Sequence, residues 1–165
     1  MALASSARPH RQATAWMVLI LLLAALLRLH GLAEESIWLD EATSILLAQE
    51  RLPDLIRATA QDIHPPGYYV LLHLWLGLGQ GAWIARSLSA FLGIISVAAI
   101  YQLGKSALGQ GAALASALLL AVSPLHIWYA QETRMYALVT LLVLLGSYAL
   151  WRAIARSRPT VAWAG

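Results

Sequence analysis

Two carboxylates stand side by side in the stretch SIWLDEATS, a few residues beyond an apolar run that ends near Leu32. A carboxylate partly desolvated at a membrane edge has a raised pKa unless a cation is near. That property suits Asp40 or Glu41 to general-base work. The same pair also reads as the first-turn acids of a helix, stabilised by its macrodipole. The two residues alone leave both readings open.

Four further side chains have the right types and places for chemistry. Arg86 and Arg134 each lie at the end of an apolar run, where a guanidinium either snorkels to the interface or grips a phosphate with two N–H groups. Glu132, in YAQETRMY, is costly at a membrane edge, and an ionisable residue there is a functional candidate by default; a loop salt bridge to Arg134 or Arg86 is the plainer reading. His64 precedes Pro65-Pro66 and is held extended by them; it reads as a structural histidine or as a contact to a metal or an acceptor. The chain has no Gly-rich phosphate loop, no GxSxG and no paired-His metal motif.

The elements that must position these residues are membrane helices. Of 165 residues, 60% are hydrophobic and 12% are charged, and the mean hydropathy of +0.67 is far above that of a soluble domain. The net charge of +3 is carried by Lys and Arg that stand singly or at the ends of apolar runs. That pattern follows the positive-inside rule rather than a nucleic-acid-binding stripe, so no nucleic-acid partner is expected and membrane lipids are. There is no Cys, which excludes disulfides and thiolate metal sites. Trp16, Trp38, Trp83, Trp128, Tyr129, Tyr136 and Trp151 fall near run ends, as aromatic belts or as packing between helices.

The expected fold is all-α and integral to the membrane, a single domain over 1–165 with four spans near 13–32, 86–104, 111–129 and 135–152. The first run is long enough to cross about 30 Å of hydrocarbon. A cleaved signal peptide would also begin with basic residues and an apolar run, but Arg28 and His30 stand where small residues should mark the cleavage site. Residues 33–85 form the expected outer loop. Residues 33–64 carry all but one of the eight acids, with a short helix at Asp40–Glu50 and another at Asp54–Gln61 opened by Pro53. Ile63–Gly67 breaks the chain. A helix of about 12 residues then lies on the outer surface.

Whether 65–85 spans decides the topology. If it does not, Arg8, Arg11, Lys105, Arg152, Arg156 and Arg158 lie inside against Arg28, Arg51, Arg57, Arg86 and Arg134 outside. If it does, only Arg8, Arg11, Arg86 and Arg134 remain inside. Basic residues near span ends favour the cytoplasm, so four spans fit better. Four spans also place Asp40, Glu41, His64, Arg86, Glu132 and Arg134 on one outer side.

Four stretches in this order, RLHGLAEESIWLDEA, DIHPPGYYVLLHLW, ARSLSAFLG and SPLHIWYAQETRMYAL, resemble the N-terminal part of membrane glycosyltransferases of the GT-C class. The resemblance covers about Leu26 to Trp151 and points to bacterial family 39, related to protein O-mannosyltransferases and to the transferase that adds aminoarabinose to lipid A. It implies transfer of a sugar, with inversion, from a polyprenyl-phosphate carrier to a lipid or protein acceptor hydroxyl. The active face would be extracytoplasmic, in the cell inner membrane. It gives the base role to Asp40, with Glu41 beside it, and the carrier phosphate to Arg86. The family's R-L-P-S reads Arg-Ser-Leu-Ser here, so Arg86 and Ser89 alone keep their places. Glu132 matches the second acidic position, Arg134 follows it, and His64 matches with acceptor or metal contact; a divalent metal is the one cofactor left open. Inverting transfer needs a base on the acceptor and charge stabilisation on the leaving group, and these residue types supply both.

Members of that family are several times longer, so the chain is expected to be an N-terminal fragment of a larger transferase, inactive alone. The alternative is a non-catalytic helical bundle that binds a lipid-linked sugar or a partner subunit. A transporter would carry paired ionisable groups inside its spans rather than at their rims.

Overall fold

The computed structural model describes residues 7–61 and 64–157. Ile63 of the expected break and Arg158 of the inner basic set lie outside the described residues. All regular structure among them is helical: α1 (Ala7–Leu29), α2 (Leu39–Gln49), α3 (Leu52–Ala60), α4 (Gly67–Trp75), α5 (Ala82–Ala107), α6 (Gln110–Ala121), α7 (Pro124–Ala130) and α8 (Tyr136–Ser157).

Three helices, α1, α5 and α8, are long and apolar enough to cross a membrane. A fourth crossing exists if α6 and α7 count as one span, and here the structure departs from the uninterrupted run expected over 111–129. The two meet at 60°. The cause is Ser123-Pro124: Pro124 opens α7 without an N–H to give back to α6, and Ser123 before it is extended, with ψ 115. The segment 65–85 contains no such helix; its α4 and the 3-10 turn Leu76–Leu78 that follows make one short apolar stretch.

Helix ends follow local rules. After α1 the chain turns through Gly31 at φ 67, the left-handed position that glycine takes at helix C-termini. Lys105 lies in the last turn of α5, and the α5–α6 turn is made by Gly109 at φ 91.

Two apolar clusters hold the assembly. One joins α1, α5 and α6 through Met17, Ile20, Ala24, Val97 and Tyr101 against Ala113, Ala117 and Ala121. The three alanines recur every four residues and so share one face. Small side chains there let backbones approach, as membrane helices require: a Cβ on Gly104 would lie 3.0 Å from Ala113 Cα. The other cluster docks α2, α3 and α4 on the first half of α5 through Ala48, Leu55, Tyr68, Tyr69, Leu72 and Leu88. Polar ties reinforce it: the Trp75 indole donates to Ile84 O at 3.1 Å, and His73 Nδ1 lies 2.8 Å from Ala48 O. Apolar side chains point outward instead on α1 and α8, among them Leu22, Leu26, Leu142 and Val143, as hydrocarbon-facing surfaces do.

Candidate functional site

The α2 N-terminus separates the two adjacent acids. Successive helical residues point about 100° apart, so one of a neighbouring pair turns inward and the other out. Glu41 is the inward one, with no exposed surface, while the Asp40 side chain is 49% exposed.

Glu41 meets Arg86 in a two-pronged ion pair. Arg86 Nε donates to Oε1 at 2.9 Å and Nη2 to Oε2 at 2.7 Å. The backbone N–H of Thr133 adds a third bond to Oε1 at 2.9 Å. Glu41 stands three residues after Trp38, the N-cap, so its carboxylate also feels the Trp38 backbone N–H at the helix start. Burial raises the pKa of this carboxyl. The Arg86 hydrogen bonds, the Thr133 N–H, the Arg86 charge and the Trp38 N–H outweigh it, so the net shift is downward. A buried carboxylate held ionised in this way is a poor proton acceptor.

Arg86 is equally occupied. Nη1 donates to Leu32 O at 3.1 Å and Glu35 O at 2.9 Å, and Nη2 to Ser36 O at 3.2 Å. A guanidinium has five N–H groups; with the two Glu41 bonds, all five have protein acceptors. Arg86 thus ties the α1–α2 loop to α2 and α5, and the Thr133 bond draws in the α7–α8 turn.

Arg134 differs. It is 9% exposed, yet its bonds are long. Nη1 lies 3.5 Å from Asp40 O, Nη2 lies 3.8 Å from Asp40 Oδ2, and the buried Nε has no partner. A hydrogen-bonded chain behind it fixes its backbone: Tyr68 OH lies 2.9 Å from Ser89 Oγ, which donates to Arg134 O at 3.2 Å.

Glu132 pairs with neither arginine. Its Oε1 accepts the Trp128 indole N–H at 2.6 Å. Burial raises its pKa, and the negative charges of Glu41 and Asp40 add to the effect, against the Trp128 bond and the Arg134 charge.

Glu41, Arg86 and Glu132 border a cavity of about 900 Å³. Its walls are the α1–α2 loop from His30 to Ser36, Trp38 and Glu41 of α2, Arg86 of α5, and the α7–α8 turn with Trp128, Tyr129, Gln131, Glu132 and Tyr136. Asp40 lies in sequence between the lining residues Trp38 and Glu41. Asp40, Arg134 and His64 are not among the lining residues. His64 is half-buried ahead of α4. No three His, Asp or Glu side chains converge on a metal-binding point among the described residues.

Sequence reasoning missed Arg28 and Gln131. Arg28 reads as the flank of the first span but is wholly buried in α1. The signal for it was present: an ionisable residue beside an apolar run of this length calls for a partner. Gln131, uncharged and in a loop, gave no such signal.

The family model of dolichyl-phosphate-mannose-protein mannosyltransferase matches residues 63–165. No curated protein matches the chain, and no solved structure does. The matched segment holds His64, Arg86, Glu132 and Arg134, while Asp40 and Glu41 precede it. With more than half of its length matched, and with apolar helices placing Glu41, Arg86 and Glu132 in the wall of one cavity, the chain belongs to the dolichyl-phosphate-mannose-protein mannosyltransferase family, membrane glycosyltransferases of the GT-C type.

Proposed function

We propose that this chain carries the first part of the active site of a transferase that moves a sugar from a polyprenyl-phosphate carrier to an acceptor hydroxyl. The acceptor belongs to a lipid or a protein. The active face is extracytoplasmic, on the inner membrane, and the outcome is inversion at the anomeric carbon.

The observation that carries this reading is the contrast within the acidic pair. Glu41 is buried and locked, whereas Asp40 is half-exposed at the helix N-terminus with Arg134 beside it. Asp40 is therefore the base. Its carboxylate takes the proton of the acceptor hydroxyl; the oxygen attacks the anomeric carbon from the face opposite the carrier; the bond from that carbon to the phosphate oxygen breaks, and the phosphate leaves with its negative charge. A guanidinium suits that charge. Arg86 has no free N–H to offer, so the role given to it by the family resemblance passes to Arg134, whose Nε has no partner. The aromatic and carboxylate lining of the cavity, Trp128, Tyr129, Tyr136 and Glu132, gives apolar faces and acceptors for sugar hydroxyls.

The test is Asp40→Asn in the full-length transferase, assayed with a polyprenyl-phosphate-sugar donor. Transfer should fall by about 10²–10⁴-fold with donor binding retained. Full activity in the variant would remove Asp40 from the mechanism.

A further inference from the structure

The α6–α7 break is separated from the cavity-lining turn by the short α7, and two side chains brace that helix. Arg28, at the end of α1, reaches the end of α6. Its Nη1 donates to Ala121 O at 3.0 Å and Ala24 O at 3.2 Å, and its Nη2 to Leu120 O at 3.0 Å. Nη2 also lies 2.8 Å from His126 Nδ1 on α7. A guanidinium only donates, so Nδ1 accepts and the neutral ring carries its proton on Nε2. Every partner of this buried cation is a carbonyl or an imidazole. The carbonyls at the C-terminus of a helix carry partial negative charge and lack intrahelical donors, and in a hydrocarbon setting such groups must be satisfied internally. Arg28 supplies both charge and donors where Pro124 ended α6.

Gln131, just past α7, returns the tie. Its Nε2 donates to His30 O at 2.9 Å and Leu27 O at 3.3 Å at the end of α1. Each side chain thus caps the C-terminus of the helix that bears the other or leads to it. Gly93 of α5 leaves the passage open: a Cβ there would lie 3.2 Å from Arg28 Nε and 2.7 Å from Ala130 Cβ. On α7 stands the cavity-lining Trp128 and just beyond it Glu132, joined at 2.6 Å.

We propose that Arg28 and Gln131 are positioning residues: their reciprocal caps fix the angle between α6 and α7 and so place Trp128 and Glu132 in the cavity wall. The chemistry demanded of them is directional. A lysine can supply the charge but not the planar fork.

The test that needs no turnover uses spin labels. The chain has no Cys, so Gly111→Cys on α6, where added atoms meet nothing within 4 Å, and exposed Leu125→Cys on α7 take two nitroxides in nanodisc-reconstituted protein. The parent should give one narrow distance distribution. Arg28→Met and Gln131→Leu should each shift it to longer distance or broaden it, with Arg28→Lys in between. Distributions unchanged in Gln131→Leu and in whichever Arg28 variant inserts overturn the proposal. A second arm rests on the transferase reading above: in the full-length enzyme Arg28→Lys should lower kcat by about 10²-fold while KM for the donor changes little. Equal losses in both would mark Arg28 as a scaffold residue only. Absence of transfer by the parent enzyme would sink the transferase reading and leave the label arm to decide the angle.

Discussion

Arg86 and Glu41 face each other across α5 and α2 in a two-pronged pair at 2.9 and 2.7 Å, both nearly or wholly buried. Removing one partner of a buried pair leaves an uncompensated charge and costs about 3–5 kcal/mol. Glu41→Gln and Arg86→Met should each lower the thermal unfolding midpoint of the detergent-solubilised protein sharply, and the double variant should lose less than the sum. A phosphate-binding Arg86 would behave otherwise: its loss would raise KM for the donor and leave the midpoint in place.

The buried Glu41 and the half-buried Glu132 give opposite pH dependences. Glu41 has a folded pKa below its ordinary 4.5, so it stabilises the fold above that value, and the contribution is lost as pH falls through the lower folded value. Glu132 is raised, by burial first. Its contribution is fully present below 4.5 and is lost as pH rises through the raised folded value. Glu132→Gln keeps an oxygen for the Trp128 N–H and removes the second dependence. Thermal midpoints across this range should therefore flatten on the alkaline side in Glu132→Gln, and a curve that keeps the parent's slope there would contradict the assignment.

Arg134 is proposed as the cation for the leaving phosphate. A hydrogen bond to a charged group is worth about 1.5–3 kcal/mol, which is about 10–150-fold in binding. Arg134→Gln should raise KM for a polyprenyl-phosphate-sugar donor by that factor, with the thermal midpoint nearly unchanged because its present contacts are long. A large drop in the midpoint with KM intact would make Arg134 structural and return the phosphate to groups outside this chain.

The residue types of the site were legible in the sequence, but their division of labour was not. Asp40 and Glu41 look equivalent on the page, and the helix rotation that buries one and exposes the other depends on what α2 packs against. Residue type and position make Arg86 and Arg134 look alike, since both end apolar runs; the Glu41 carboxylate and the backbone carbonyls of the α1–α2 loop, which no periodicity reveals, fill the donors of Arg86. Helices α2 and α3 were visible from Pro53 and the change in polarity. The α6–α7 break has a local signal in Ser123-Pro124, but the apolar run over 106–131 reads as one span across it. Arg28 could not be read as a cap until that break gave it carbonyls to cap.

Glycine positions separate close packing from indifference. A Cβ on Gly93 would meet Ala130 Cβ at 2.7 Å and Arg28 Nε at 3.2 Å, whereas one on Gly146 meets nothing within 4 Å. Both glycines lie inside long helices, α5 and α8, where alanine is the better helix former by about 1 kcal/mol. Gly146→Ala should therefore be neutral or mildly stabilising. Gly93→Ala has to push α7 away from α5, and overpacking of this kind costs about 1–3 kcal/mol, more than the helix preference returns. Thermal midpoints of the two variants should move in opposite directions or differ by that amount. If Gly93→Ala were as stable as Gly146→Ala, α7 would not lie against α5 at this point, and the buried course of Arg28 between them would be wrong.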